Sequence, residues 1–97
     1  MTLTEALAEI DRLRAENAQL RNAILGVPTG LRKLGLTHLQ CQVAVCLLDG
    51  LTFQATGLAV ERSTEAAREI ARRIRERLGQ ATMADTMVIL RAAARMP

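Results

Sequence analysis

The residues best suited to chemistry in this sequence are the arginines between Ser63 and Gly79. This stretch reads STEAAREIARRIRERLG, and all of its basic residues are arginine: Arg68, Arg72, Arg73, Arg75 and Arg77. A guanidinium is planar and permanently charged, and it donates paired hydrogen bonds to phosphate, carboxylate or the guanine edge. Glutamates are interspersed at 65, 69 and 76, so the pattern is also typical of a solvated helix face with ion pairs four residues apart.

The arginines are predicted to lie on one helix. Ser63 and Thr64 are both suited to cap its start, and Gly79 is suited to the left-handed turn that follows a helix end. Apolar residues recur at spacings of three and four, which places them on one face: Ala67, Ile70, Ala71, Ile74 and Leu78. The apolar face would pack inward and leave the arginines on the other faces.

Catalytic and metal chemistry have little support in the sequence. There is one histidine, His38, and the chain has no Ser-His-acid or Cys-His spacing and no glycine-rich phosphate loop. Cys41 and Cys46 are five residues apart without a CxxC pair, which indicates buried thiols in a reducing compartment rather than zinc ligands. We therefore expect no enzyme activity, no metal and no cofactor.

The composition favours an all-α fold. The chain has 97 residues, of which 49% are hydrophobic, with one Phe and neither Trp nor Tyr. A core of Ala, Leu, Ile, Val and Met suits packed helices better than a sheet. The lack of aromatics argues against a reader that stacks single-stranded bases. The net charge of +3 permits nucleic-acid binding. No segment is long and apolar enough to span a membrane, so a cytoplasmic protein is expected.

Residues 1–25 are predicted to form a coiled coil that dimerises the chain. Thr2 and Glu5 form a capping box at its start. With Leu3 at heptad position a, Ala6 falls at d, and the interface residues are Leu3, Ile10, Leu13, Asn17, Leu20 and Ile24. Ile at a with Leu at d favours two parallel strands, and a single Asn at a fixes the register.

Charges beside these heptad positions agree with a parallel pair. Glu9 at g would face Arg14 at e of the partner helix, and Glu16 would face Arg21. The alternative is an amphipathic helix that packs on its own domain, which these charge pairs and the Asn disfavour. A zipper with a different protein stays open.

The rest of the chain is predicted to be a linker followed by a compact domain. Residues 26–35 contain three glycines and a proline, which is typical of a linker. Residues 36–97 then hold four helices, whose predicted starts are marked by capping residues at Thr37, Thr52, Ser63 and Thr82. The last helix is apolar over more than one face, so it is a second candidate dimer surface.

A short helix, a turn and a longer arginine-bearing helix make the plan of a helix-turn-helix. Residues 36–90 resemble the LuxR-type helix-turn-helix domain of bacterial transcription regulators. The matching landmarks are Leu36-Thr37, Val43, Leu47, Asp49-Gly50-Leu51-Thr52, Ser63, Ile74 and Arg77-Leu78-Gly79. The chain departs from the family pattern at Thr56, Arg62, Ala66-Ala67, Ile70 and Met83. A region-four sigma-factor domain shares the same plan.

The resemblance implies a sequence-specific regulator that binds double-stranded DNA with helix 63–78 in the major groove. The predicted coiled coil would make this regulator a homodimer. Base edges would be contacted by Arg68, Glu69 and Arg72. Phosphates would be contacted by Ser63, Thr64, Arg62, Arg73, Arg75 and Arg77. The alternative is a coiled-coil adaptor or antagonist that binds another regulator or RNA polymerase.

Overall fold

The computed structural model describes residues 2–25 and 27–96, with side chains for residues 2–17 and 27–96. Every regular element in this part of the chain is an α-helix, as the composition predicted. The helices are α1 (Leu3–Leu25), α2 (Thr29–Lys33), α3 (His38–Leu48), α4 (Phe53–Ala59), α5 (Thr64–Arg77) and α6 (Met83–Ala94). Five of these six helices were predicted from the sequence, and each begins at the residue after its predicted cap.

Capping side chains mark the starts of α1, α3, α4, α5 and α6, and they are the residues that the sequence indicated. The Thr2 hydroxyl accepts from the Glu5 N–H at 3.1 Å, and the Glu5 carboxylate accepts from the Thr2 N–H at 3.3 Å. Thr37 and Gln40 form the same reciprocal pair at the start of α3. The other three caps are single bonds, made by Thr52, Ser63 and Thr82. Each cap satisfies an N–H that would otherwise lack an intrahelical partner.

The core lies where α2, α3, α5 and α6 meet. Its fully buried members include Leu31, Val43, Ile74 and Leu90, each from a different helix. Small residues on the inner faces, among them Ala44 and Ala93, allow the helix backbones to come close together. The core therefore joins one large apolar side chain from each of four helices.

Residues 26–35 differ from the predicted linker, because they contain the short helix α2. Pro28 precedes its first turn, and Leu31 is 0% exposed. A side chain on Gly30 would place its Cβ 1.7 Å from the carbonyl oxygen of Ala93, so α2 packs directly on the backbone of α6. The glycine that suggested a flexible linker instead permits a close contact between two helices.

Helix α1 packs along α4 of the same chain. Thr52 Oγ1 donates to Asp11 Oδ2 at 3.2 Å, and Ala15 is almost fully buried. The charge pattern of α1 disfavoured packing on its own domain, yet this contact is present. The predicted zipper residues Leu3, Ile10 and Leu13 face away from the domain and are exposed, which leaves them accessible to another chain.

Thr56 carries a buried hydroxyl for which the described residues offer no hydrogen-bond partner. Both Thr56 and Thr86 are 0% exposed. The Thr86 hydroxyl differs, since it donates to the Thr82 carbonyl oxygen at 2.9 Å. A buried polar atom without a partner costs on the order of 1–3 kcal/mol.

We therefore predict that Thr56→Val increases the free energy of unfolding by about 1 kcal/mol, because valine has the same shape without the hydroxyl. Thr86→Val is the matched control, since it removes a satisfied hydroxyl and should give no increase. Denaturant unfolding followed by circular dichroism measures both. A loss of stability in Thr56→Val equal to that in Thr86→Val would show that the Thr56 hydroxyl is satisfied in solution.

Candidate functional site

Helices α4 and α5 are joined by a tight turn. The Arg62 N–H donates to the Gly57 carbonyl oxygen at 2.8 Å, and Glu61 adopts a positive φ of 58°. A Cβ on Gly57 would lie 2.8 Å from the carbonyl oxygen of Arg62 and 2.9 Å from that of Ser63. The turn thus folds back onto Gly57, and only a glycine leaves room for it. This close approach fixes the direction in which α5 leaves α4.

The inner face of α5 is buried, as the apolar spacing predicted. Ala67, Ala71 and Ile74 are at most 2% exposed, and the helix packs on α3, α4 and α6. The Ser63 hydroxyl, one of the predicted phosphate contacts, caps the helix by accepting from the Ala66 N–H at 3.0 Å. Thr64 is the first residue of the helix. The remaining faces of α5 are charged and mostly exposed.

Arg72 lies at the centre of an ion-pair network on the outer face. Its Nε donates to Glu69 Oε2 at 3.0 Å, and its two Nη atoms donate to Glu69 and Glu76. Arg73 Nε donates to Glu69 Oε1 at 3.2 Å. Arg72, a predicted base contact, and Arg73, a predicted phosphate contact, therefore share the Glu69 carboxylate.

The same pairing sets the protonation of these groups. Hydrogen bonds from Arg72 first and Arg73 second hold the pKa of Glu69 below its ordinary value, and the pairing raises the pKa of Arg72. Because the carboxyl pKa is lower in the folded chain, the stabilisation from this pairing is fully present above the unfolded-state pKa of Glu69. It is lost as the pH falls through the lowered, folded value. At neutral pH Glu69 and Arg72 are therefore both charged.

Arg68 of α5 contacts residues of both α4 and α5. Its Nη1 donates to Glu65 Oε1 at 3.2 Å, and its guanidinium carbon lies 5.8 Å from the centre of the Phe53 ring. A cation over an aromatic face gains about 0.5–1 kcal/mol at an exposed site. The ring of α4 thus helps to orient an arginine of α5. Sequence reasoning missed this partner, although Phe53 is the only aromatic residue in the chain.

The other predicted phosphate contacts are divided between the two ends of α5. Arg75 Nη1 donates to the Gln80 carbonyl oxygen at 3.1 Å and thereby supports the turn after the helix. The Arg77 guanidinium lies over Gly35, where a Cβ would be 2.6 Å from its Nη2. Arg62 Nη1 donates to the Glu61 carbonyl oxygen at 3.1 Å. Arg75 is half-buried, whereas Arg62 and Arg77 are exposed.

The predicted dimerisation residues are separate from this face and lie on α1. Leu3, Ile10, Leu13 and Asn17 are exposed. The side chains of Leu20, Ile24 and Arg21 lie outside the described residues. On α6, the other predicted dimer surface, Val88 is exposed while Leu90 is buried.

Ion pairing alone does not distinguish α5 from α1. Arg12 of α1 pairs with Glu9 and Glu16, as Arg72 pairs with Glu69 and Glu76 at the same spacings. The pairing also shifts the pKa values in the same directions, lowering that of Glu9 and raising that of Arg12. Helix α5 differs from α1 in two respects: it follows a tight turn, and its inner face is buried in the core.

The described residues contain no group of three or more His, Cys, Asp or Glu side chains that could hold a metal ion. Cys41 and Cys46 are buried, and burial raises the pKa of the Cys41 thiol. None of the described helices is long and apolar enough to cross a membrane. Comparisons with protein-family models, curated proteins and solved structures found no match to this chain.

Proposed function

We propose that this chain is a sequence-specific regulator of transcription that binds double-stranded DNA as a homodimer. In this proposal, α4 and α5 form a LuxR-like helix-turn-helix, and α5 enters the major groove. The protein would be cytoplasmic and associated with the nucleoid through its DNA.

The proposal rests on one observation. Helix α5 exposes arginines on its outer face, while packing of its inner face in the core fixes the direction of the helix. The Gly57 turn sets its start, and Ala67, Ala71 and Ile74 hold its inner face in the core. A helix that reads a groove needs this combination, since its side chains must reach base edges from a firm support.

The proposed base contacts come from Arg68, Glu69 and Arg72. Arginine donates to guanine O6 and N7, and glutamate accepts from cytosine N4, with each good pair contributing roughly 1–3 kcal/mol of discrimination. In the unbound chain these residues are held in ion pairs on the surface of α5. Exposed ion pairs contribute little to stability in water, so contacts with bases can replace them at small cost.

The proposed phosphate contacts surround this centre and set its orientation: Ser63, Thr64, Arg62, Arg73, Arg75 and Arg77. Between residues 61 and 77 there are six arginines and four glutamates. Because this surplus is small, non-specific attraction to DNA should be modest, and base contacts should account for a large share of specific binding.

In the proposed homodimer, α1 of each chain forms a parallel coiled coil, and α6 is a second candidate contact. Two copies would place their α5 helices at half-sites about one helical turn apart on a palindromic operator. The exposed zipper residues of α1 support this part of the proposal.

We predict that Arg72→Ala reduces affinity for an operator, selected with the parent chain from random duplex DNA, by about 1–3 kcal/mol. It should also relax specificity at one base position. Arg12→Ala is a closely matched control, because Arg12 makes the same two glutamate pairs on α1, and it should leave DNA affinity unchanged. Fluorescence anisotropy with operator and scrambled duplexes measures both. Equal effects of the two substitutions would contradict a direct role for α5.

We predict that Glu69→Gln raises affinity for random duplex DNA, because it releases Arg72 and Arg73 from a shared carboxylate. The slope of log affinity against log salt should become steeper by up to about one for each additional phosphate that these arginines neutralise. An unaltered slope in Glu69→Gln would mean that these arginines do not face DNA.

An adaptor or antagonist that binds another regulator or RNA polymerase is the second candidate function. It is favoured by the balanced charge of the α5 outer face, where Arg68, Arg72 and Arg73 all have glutamate partners. Such a protein would show no sequence preference among DNA duplexes, and Arg72→Ala would then reduce binding to the protein partner.

A further inference from the structure

Helix α1 has two sides with different surroundings. One side carries Asp11 and Ala15 and packs on α4. The other carries the leucine stripe, which we define as Leu3, Ile10 and Leu13, with exposed fractions of 77%, 45% and 48%. At 3.6 residues per turn, Ile10 and Leu13 point about 140–160° away from Ala15. A second helix on the stripe would therefore not displace α4.

We infer that α1 binds two helices at once: a second copy of α1 through the leucine stripe, and α4 of its own chain through Asp11 and Ala15. The coiled coil and the helix-turn-helix of each protomer would then form one rigid unit. This inference rests on the homodimer of the proposed function.

The heptad positions of the two sides agree with this division. With Leu3 at a, the stripe occupies a and d, whereas Asp11 falls at b and Ala15 at f. Positions b and f lie on the outside of a two-stranded coiled coil, where they are free to contact another part of the protein. The α4 contact thus uses residues that a zipper does not need.

Charge complementarity identifies the occupant of the stripe as a second copy in parallel register. Glu9 flanks the stripe on one side and Arg14 on the other. A parallel copy brings each glutamate beside the arginine of its partner, whereas an antiparallel copy brings like charges together. Asn17, which is exposed at an a position, would face its own counterpart and fix the register.

Docking on α4 also helps a short zipper to form. Ordering a backbone costs conformational entropy, and three heptads bury little surface to offset that cost. Because α1 is already held on α4 by the Thr52–Asp11 bond and by Ala15, part of this ordering is complete before two chains meet. The separation of the two α5 helices would consequently be fixed by the dimer itself.

The test measures the distance between protomers without DNA. A nitroxide on Ala84→Cys, an exposed position of α6, labels each chain once, because both native thiols are buried. Ala15→Lys places a long charged side chain in the α4 contact. Ala8→Lys is the matched control, since Ala8 is also at position f but is exposed.

We predict dimers by light scattering for the parent, Ala8→Lys and Ala15→Lys at high concentration. Double electron–electron resonance should give one narrow distance in the first two and a distribution at least twofold broader in Ala15→Lys. Should Ala15→Lys fail to fold, Asp11→Ala, which removes only the Thr52 bond, should give a smaller broadening in the same direction.

Equal widths in the parent and Ala15→Lys would overturn the inference, as would a monomeric parent. A dimer that Ala15→Lys abolishes at every concentration would also overturn it, because the two sides of α1 would not act independently. A narrow distance distribution in the parent that broadens in Ala15→Lys supports the inference even if the chain selects no operator. Failure to select an operator would refute only the DNA-binding proposal.

Discussion

The buried inner face of α5 holds the domain together, because α5 packs on α3, α4 and α6. Ile74 is fully buried in the common core, and Ala67 and Ala71 let the helix lie close to its neighbours. Alanine contributes little apolar area, but it permits short distances between helix axes. With this side sealed, the proposed base contacts Arg68, Glu69 and Arg72 lie on the remaining faces of the helix. Their orientation follows from that packing.

The side chains on the charged face of α5 are ordered by interactions that can be exchanged for others. Arg72 pairs with Glu69 one turn before it and with Glu76 one turn after it on α5, and the Phe53 ring supports Arg68. Each interaction is weak in water, so a phosphate or base edge can replace it at small cost. In the proposed complex with DNA, the glutamates would also limit attraction to arbitrary sequences and so favour selective binding over charge-driven binding.

Capping residues and apolar spacing predicted most of the helices. Close contacts between small residues of different helices were not predicted. Capping residues such as Thr37 and Ser63 act within a few positions, so their pattern is visible in the sequence. Helix α2 was missed because Gly30 normally indicates a loop, and its fit against Ala93 depends on a partner far along the chain. The Asp11 and Ala15 contact with α4 was missed for a similar reason, since neither residue belongs to an apolar stripe. Within the site, the arginine-bearing face was predicted, whereas the Phe53 support for Arg68 was not.

Selection of bound duplexes from a random DNA pool by the full chain, at physiological salt, is the decisive measurement of sequence-specific DNA binding. We expect enrichment of one motif with two symmetric half-sites whose centres are about 10 base pairs apart. Affinity for this motif should fall steeply as salt is raised. A pool that remains random after repeated selection, with the chain folded and dimeric, would rule out sequence-specific DNA binding.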